Sequence, residues 1–219
     1  NESGFTLADS RQEEASPYAG GARYARVDSS ASSGTTTGFC STGFGYKIGA
    51  ADYMLTAGHC FPQQTDFHYM WTAKLFSTAY VKNVVAGNRQ GGDTSWNDAS
   101  GTVQGGLDNG WHGDLAIVNV SVFGRTSGDH IWWGAVGTTV KIPVTSRIAP
   151  HFEDPICFNG YVSGSDCGTV IVETNGMYTL GGEQMKWGDI AESSSVADCP
   201  THGDSGGSII YNHQGAETD

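Results

Sequence analysis

The chain has 219 residues, 38% of them hydrophobic and 16% charged, with 32 glycines. That length suits one large β-rich domain or two small lobes with cores of their own. Eleven Lys and Arg face 23 Asp and Glu, a formal charge of −12, which argues against nucleic acid or an anionic membrane surface as a partner. No run of about 18 apolar residues occurs, so a transmembrane span is not expected.

Residues 1–19 are polar and mixed in charge, and they read as an N-terminal extension or a pro-segment remnant. Ser29 to Gly38 is rich in Ser, Thr and Gly and reads as a surface loop. Gly43 to Ile48 and Ala51 to Thr56 pattern as paired strands that deliver His59, and Tyr69 to Phe76 and Tyr80 to Ala86 continue the strand pattern. Gly87 to Gly113 is long and glycine-rich, as functional or mobile loops often are. Its Asp93, Asn97 and Asp98 lack EF-hand spacing and read as solvated rather than Ca²⁺-binding. Leu115 to Val120 is apolar and β-branched, a buried strand with Asp114 at its mouth. Phe123 to Gly134 is linker-like and divides a first lobe, 20–122, from a second, 123–219. Strands of the second lobe are expected at Thr138 to Val144, Ile156 to Val162, Thr169 to Glu173, Met177 to Leu180 and Ser208 to Tyr211, with Trp132-Trp133 in packing.

Three short strings carry chemistry: Thr56-Ala57-Gly58-His59-Cys60, Gly113-Asp114-Leu115-Ala116 and Gly203-Asp204-Ser205-Gly206-Gly207. A serine hydroxyl hardly ionises near neutral pH, so it needs a base, and the base needs a third group to fix its tautomer and steady its cation. Singly, each string has a plain reading: a histidine beside a disulfide, an acidic residue capping a strand, a glycine turn. Together, and in this order, they supply imidazole, carboxylate and hydroxyl. The other histidines, at 68, 112, 130, 151, 202 and 213, show no metal-ligand spacing. A zinc hydrolase is therefore disfavoured, and no metal or cofactor is expected. His202 reads equally as the rim of a substrate pocket or as an exposed residue without a role.

Of the five cysteines, Cys40 and Cys60 bracket the hairpin ending at His59, where a bridge would pin the base's loop. Cys157 and Cys167 flank the segment Phe158 to Asp166, and a bridge across a tight β-connection is the natural reading. The alternative is that all five are reduced core residues. Bridges in these numbers point to an oxidising, extracellular setting. Cys199 is left over.

The order His, Asp, Ser with these flanks resembles the chymotrypsin-like serine endopeptidases, and more narrowly their secreted bacterial branch. The resemblance covers residues 20–219, and Gly20-Gly21-Ala22-Arg23 is similar to the stretch where mature bacterial members begin. It implies an all-β fold of two six-stranded antiparallel barrels. It also implies catalysis by His59, Asp114 and Ser205 and an oxyanion hole from the amides of Gly203 and Ser205. In the family a cysteine just before the nucleophile pairs with a later one, and no cysteine follows Cys199 here. The expectation is a second barrel lacking its C-terminal strands, with any severed C-terminal piece tethered through Cys199.

Two departures from the pattern stand out. Asp204 needs a cation or hydrogen-bond donors, yet the place where bacterial members carry a basic residue holds Phe158, leaving Arg125, Arg147 or no cation. Trypsin-type enzymes place an acidic pocket residue where this chain has Ala197, with Asp198 one place nearer Cys199, so Ala197, Asp198 and His202 are the pocket candidates. The resemblance implies a secreted, monomeric endopeptidase acting on protein or peptide substrates, with no nucleic acid or membrane partner. The alternatives are an inactive precursor and a catalytically silent binding protein on the same fold.

Overall fold

Short runs of Val, Ile, Tyr and Trp broken by glycine favour strands over helices. The computed structural model describes residues 10–12, 14–27, 36–60, 69–76, 79–92, 115–180 and 183–211. Regular structure among them is β, apart from three short 3₁₀ turns. The strands are β1 (Tyr18–Gly20), β2 (Arg23–Val27), β3 (Thr36–Ser41), β4 (Gly45–Ile48), β5 (Ala51–Thr56), β6 (Tyr69–Phe76), β7 (Ala79–Gly92) and β8 (Ala116–Asn119). There follow β9 (Ser127–Trp132), β10 (Lys141–Pro143), β11 (Pro155–Gly160), β12 (Gly164–Leu180), β13 (Glu183–Ser193) and β14 (Ser208–Tyr211).

The largest sheet is seven-stranded and antiparallel, in the order β3-β2-β6-β7-β8-β5-β4. The hairpin β4–β5 turns on Gly49 and Ala50, and Gly49 supplies the positive φ of 60° that so short a connection requires. On β5 and β8, Met54 faces Val118 across the ladder and both are fully buried. Burying side chains of this size contributes about 1.5–3 kcal/mol each. With Tyr18, Tyr24, Cys40, Ala57, Cys60, Ala116 and Val120 they form the core beneath the His59 turn.

Two further sheets are β13-β12-β11-β14 and β1-β9-β10. Pairing is antiparallel except between β1 and β9, which run parallel. Several features differ from the sequence expectation. Among them, β7 runs to Gly92 into the stretch read as a loop, and β3 begins at Thr36 inside the loop read over 29–38. The linker-like stretch 123–134 contains β9, whose Asp129 and His130 are exposed while Ile131 and Trp132 are buried, too short an apolar run to register as a strand. Thr169 to Glu173 and Met177 to Leu180 belong to one long strand, β12, which pairs with an unanticipated β13 from Leu180 opposite Glu183 back to Thr169 opposite Ser193. The letters of β13 mix Met185, Trp187 and Ile190 with charged residues and show no regular alternation, which is why no strand was read there. At the N-terminus, Arg11 and Glu14 are buried, and β1 pairs with β9.

Strands at 43–48, 51–56, 69–76, 115–120 and 208–211 lie where their patterns put them, to within two residues at the ends. The Ca²⁺ reading of Asp93, Asn97 and Asp98 lies outside the described residues, as does the whole of the loop beyond Gly92 up to Asp114.

Candidate active site

β5 runs directly into a 3₁₀ turn, Gly58–Cys60, that carries His59. Ala57, Gly58 and Cys60 are buried while His59 is exposed, so the turn is anchored on both sides of the imidazole. Cys60 is bridged to Cys40 at the end of β3, and a second bridge joins Cys157 to Cys167 across β11 and β12. Both pairings are those expected from the sequence. Closing loops of 20 and 10 residues removes unfolded-state entropy equivalent to about 3.3 and 2.7 kcal/mol in the chain-entropy model.

The Ser205 turn is built from local bonds: Asp204 N donates to Thr201 O at 3.0 Å and Gly207 N to Asp204 O at 2.9 Å. Gly203 (φ 106°) and Gly206 (φ 83°) occupy left-handed backbone that a side chain would strain. This turn is held against the end of β3 and the His59 turn beside it. Ser41 N donates to Ser205 O at 2.9 Å, and the Cys60 Sγ lies 3.8 Å from the same carbonyl. A Cβ on Gly206 would lie 2.6 Å from Ala57 N and 2.7 Å from Ser41 O, and would collide with Thr56 Oγ1.

Ser41, which sequence reasoning missed, is the fully buried hinge of the arrangement. Its carbonyl accepts from Thr56 Oγ1 at 2.9 Å, and its hydroxyl donates to Gly203 O at 2.9 Å and accepts from Tyr161 N at 2.9 Å. Its only signal in the letters is its position directly after Cys40. Among the described residues, neither the Gly203 amide nor the Ser205 amide donates to a protein acceptor.

Asp204 is buried, and its charge is met by donors rather than by a contact ion pair among the described residues. Oδ1 accepts from Val162 N at 2.9 Å and Ser163 N at 3.1 Å. Oδ2 accepts from Ser163 Oγ at 2.6 Å, Thr201 N at 3.0 Å and Thr201 Oγ1 at 3.4 Å. Of the alternatives left open by Phe158 at the basic position, neither Arg125 nor Arg147 bonds to Asp204 among the described residues. The cation that senses Asp204 is Arg11, which is fully buried. Burial pulls the Arg11 guanidinium down to about 10, opposed first by the charge of Asp204 and then by that of Glu14. It remains a cation at neutral pH.

Asp114 itself lies outside the described residues; β8 begins two positions later, with Ala116 opposite Thr56. Of the pocket candidates, Ala197 and His202 are exposed, and Asp198 closes the short turn Val196–Asp198. The thiol of Cys199 is free and half-buried. No cluster of His, Cys, Asp or Glu suited to a metal occurs among the described residues, and no described helix is long and apolar enough to cross a membrane.

These all-β sheets, with the Ser205 turn held beside the His59 turn through Ser41, match the chymotrypsin-like double-barrel fold of solved structures. The chain is similar to Thermobifida fusca protease A, at 18% identity over 88% of this chain and 76% of that one, with a TM-score of 0.56. It is similar to the chymotrypsin of Cellulomonas bogoriensis, at 19% identity over 88% and 76% with a TM-score of 0.54. A Nocardiopsis protease matches at 20% identity over 88% and 78% with a TM-score of 0.55. At these identities the likeness defines the fold. No protein-family model matches the sequence, and no curated protein matches it.

Proposed function

We propose that the chain is a serine endopeptidase that hydrolyses peptide bonds through an acyl-enzyme, with His59, Asp114 and Ser205 as its triad. The observation that carries this reading is the attachment of the Ser205 turn beside the His59 turn through Ser41 and the Gly206 contact. Asp114 is included on the order of the three motifs, and the strand that follows it, β8, pairs with β5, which leads to the His59 turn.

In this reading His59 accepts the Ser205 proton as the hydroxyl oxygen attacks the peptide carbonyl, while Asp114 orients the imidazole and steadies its cation. The amides of Gly203 and Ser205, which have no described protein acceptor, hold the oxyanion. One such donor contributes about 2.7–4 kcal/mol to the transition state in comparable sites. His59 then protonates the leaving amine and activates the water that releases the acyl group. Ala197, Asp198 and His202 rim the pocket for the side chain before the cut, and the substrate pairs in extended form with a strand edge.

The two disulfides fit an oxidising, extracellular place of action. Residues 20–122 and 123–219 form the two lobes in this reading, with the segment before them docked on the second. Digestion of a peptide library by the wild-type chain and by Ser205→Ala tests the proposal. Cleavage at defined side chains by the first and none by the second is expected; equal cleavage, or none by either folded chain, overturns it.

A further inference from the structure

Residues 10–17 have no apolar periodicity and no motif, yet Arg11 makes more cross-chain hydrogen bonds than a polar extension needs. Arg11 Nη1 donates to Gly160 O at 2.8 Å, Asn159 Oδ1 at 2.5 Å and Gly21 O at 3.3 Å. Its Nη2 donates to Gly134 O at 3.1 Å and Ser165 Oγ at 3.3 Å. Next to it, Gln12 Nε2 donates to Tyr161 O at 2.7 Å. Glu14 supplies a second anchor, accepting from Trp132 Nε1 and from Lys141 Nζ at 2.8 Å.

The carbonyls gripped by Arg11 and Gln12 open the turn whose other groups hold the nucleophile loop. Residues 160 and 161 give their carbonyls to the N-terminal segment, whereas Val162 N, Ser163 N and Ser163 Oγ donate to Asp204. Tyr161 N donates to the same Ser41 hydroxyl that donates to Gly203 O. Gly160 is packed so tightly on the Asp204 carboxylate that a Cβ there would collide with it. One turn therefore lies between the two segments and is bonded to both.

We infer that Arg11 and Gln12 are positioning residues for the Ser205 turn, acting through the carbonyls of Gly160 and Tyr161. They fix the 161–163 turn, which fixes Asp204, which in turn sets the direction of the Gly203 and Ser205 amides. The guanidinium adds a positive charge one peptide away from the Asp204 carboxylate, which burial would otherwise disfavour. A carbonyl grip by two adjacent side chains resists rotation of the turn more than either bond alone, because both peptide planes are held.

The inference rests on the proposed serine chemistry, and its test separates the two. Full-length wild type, Arg11→Lys, Arg11→Met and Gln12→Ala are titrated with a fluorophosphonate. The inactivation rate constant and the reversible binding constant are measured separately, alongside thermal unfolding. Arg11→Met is expected to inactivate about 10- to 100-fold more slowly with little change in reversible binding, the size expected from sub-ångström misplacement. Arg11→Lys, which keeps the charge, recovers part of the rate, and Gln12→Ala loses several-fold. Wild-type rates in a folded Arg11→Met overturn the inference. If Arg11→Met does not fold, wild-type rates in both Arg11→Lys and Gln12→Ala overturn it. A folded wild type that takes no label overturns the serine reading and this inference with it, whereas a labelled wild type with indifferent variants overturns this inference alone.

Discussion

Gly206→Ala is the sharpest test of the contact between the two turns. Left-handed backbone costs an L-residue about 1–2 kcal/mol, and Gly206 sits at φ 83°. The new Cβ would also lie 2.6 Å from Ala57 N and 2.7 Å from Ser41 O, so reaching ordinary contact near 3.4 Å requires a shift of about 0.7–0.8 Å. A shift of that size away from Ser41 stretches the 2.9 Å bond from Ser41 N to Ser205 O out of hydrogen-bonding range, a further cost of about 0.5–1.5 kcal/mol. The expected total is about 2–3 kcal/mol, or roughly 4–12 °C in Tm for a chain of this size. Near-ångström misplacement of a nucleophile slows attack by about 100-fold. Labelling by a fluorophosphonate and thermal unfolding on the same samples measure both. Gly49→Ala is the control: its φ is also positive, at 60°, but nothing lies within 4 Å of the new Cβ. It should cost only the backbone strain, about 1–2 kcal/mol, and leave labelling unchanged. Wild-type labelling in Gly206→Ala would refute the argument that the contact aligns the site.

Replacing both Cys40 and Cys60 by Ala should lower stability by about 3 kcal/mol and slow labelling, because the His59 turn loses its covalent anchor; unfolding in denaturant with and without the substitutions checks the first part. Asp204→Ala leaves the amides of Val162, Ser163 and Thr201 without their acceptor, a cost of about 2–4 kcal/mol by chemical denaturation, with labelling lost. The Asp154 carboxyl is held below its ordinary value, first by the Tyr211 hydroxyl and then, against some desolvation, by His151, while the same bond raises the Tyr211 phenol. The stabilisation from a depressed carboxyl is lost as pH falls through its folded pKa, and that from a raised phenol as pH rises through its own. The Tm gap between wild type and Tyr211→Phe should therefore be widest between about pH 4 and 10 and narrow beyond both ends. A gap independent of pH would contradict this.

The parts of the fold that the letters disclosed are those where burial and backbone agree. Ala51 to Thr56 and Leu115 to Val120 alternate or cluster apolar types because they line the core beneath the His59 turn, and Met54 against Val118 is the consequence. Cys40 with Cys60 and Cys157 with Cys167 were legible because short sequence separations limit which thiols can meet. β13 was not legible, since its letters show no clear alternation and what places it is its backbone pairing to β12. The buried N-terminal segment was hidden for a different reason. Arg11 and Glu14 are polar residues whose burial is compensated largely by partners more than 100 positions away, such as Gly160 and Trp132, and no local pattern encodes that. Ser41 escaped notice likewise: a serine after a cysteine says nothing until two turns are seen to meet on it.

Intact-mass analysis after reaction with a fluorophosphonate puts the serine centre to the most direct trial. The folded wild-type chain should gain one adduct, located at Ser205. Ser205→Ala should gain none, and His59→Ala and Asp114→Asn should label more slowly by orders of magnitude. No adduct on a folded chain with both disulfides intact, or equal labelling of all four, would contradict the proposal.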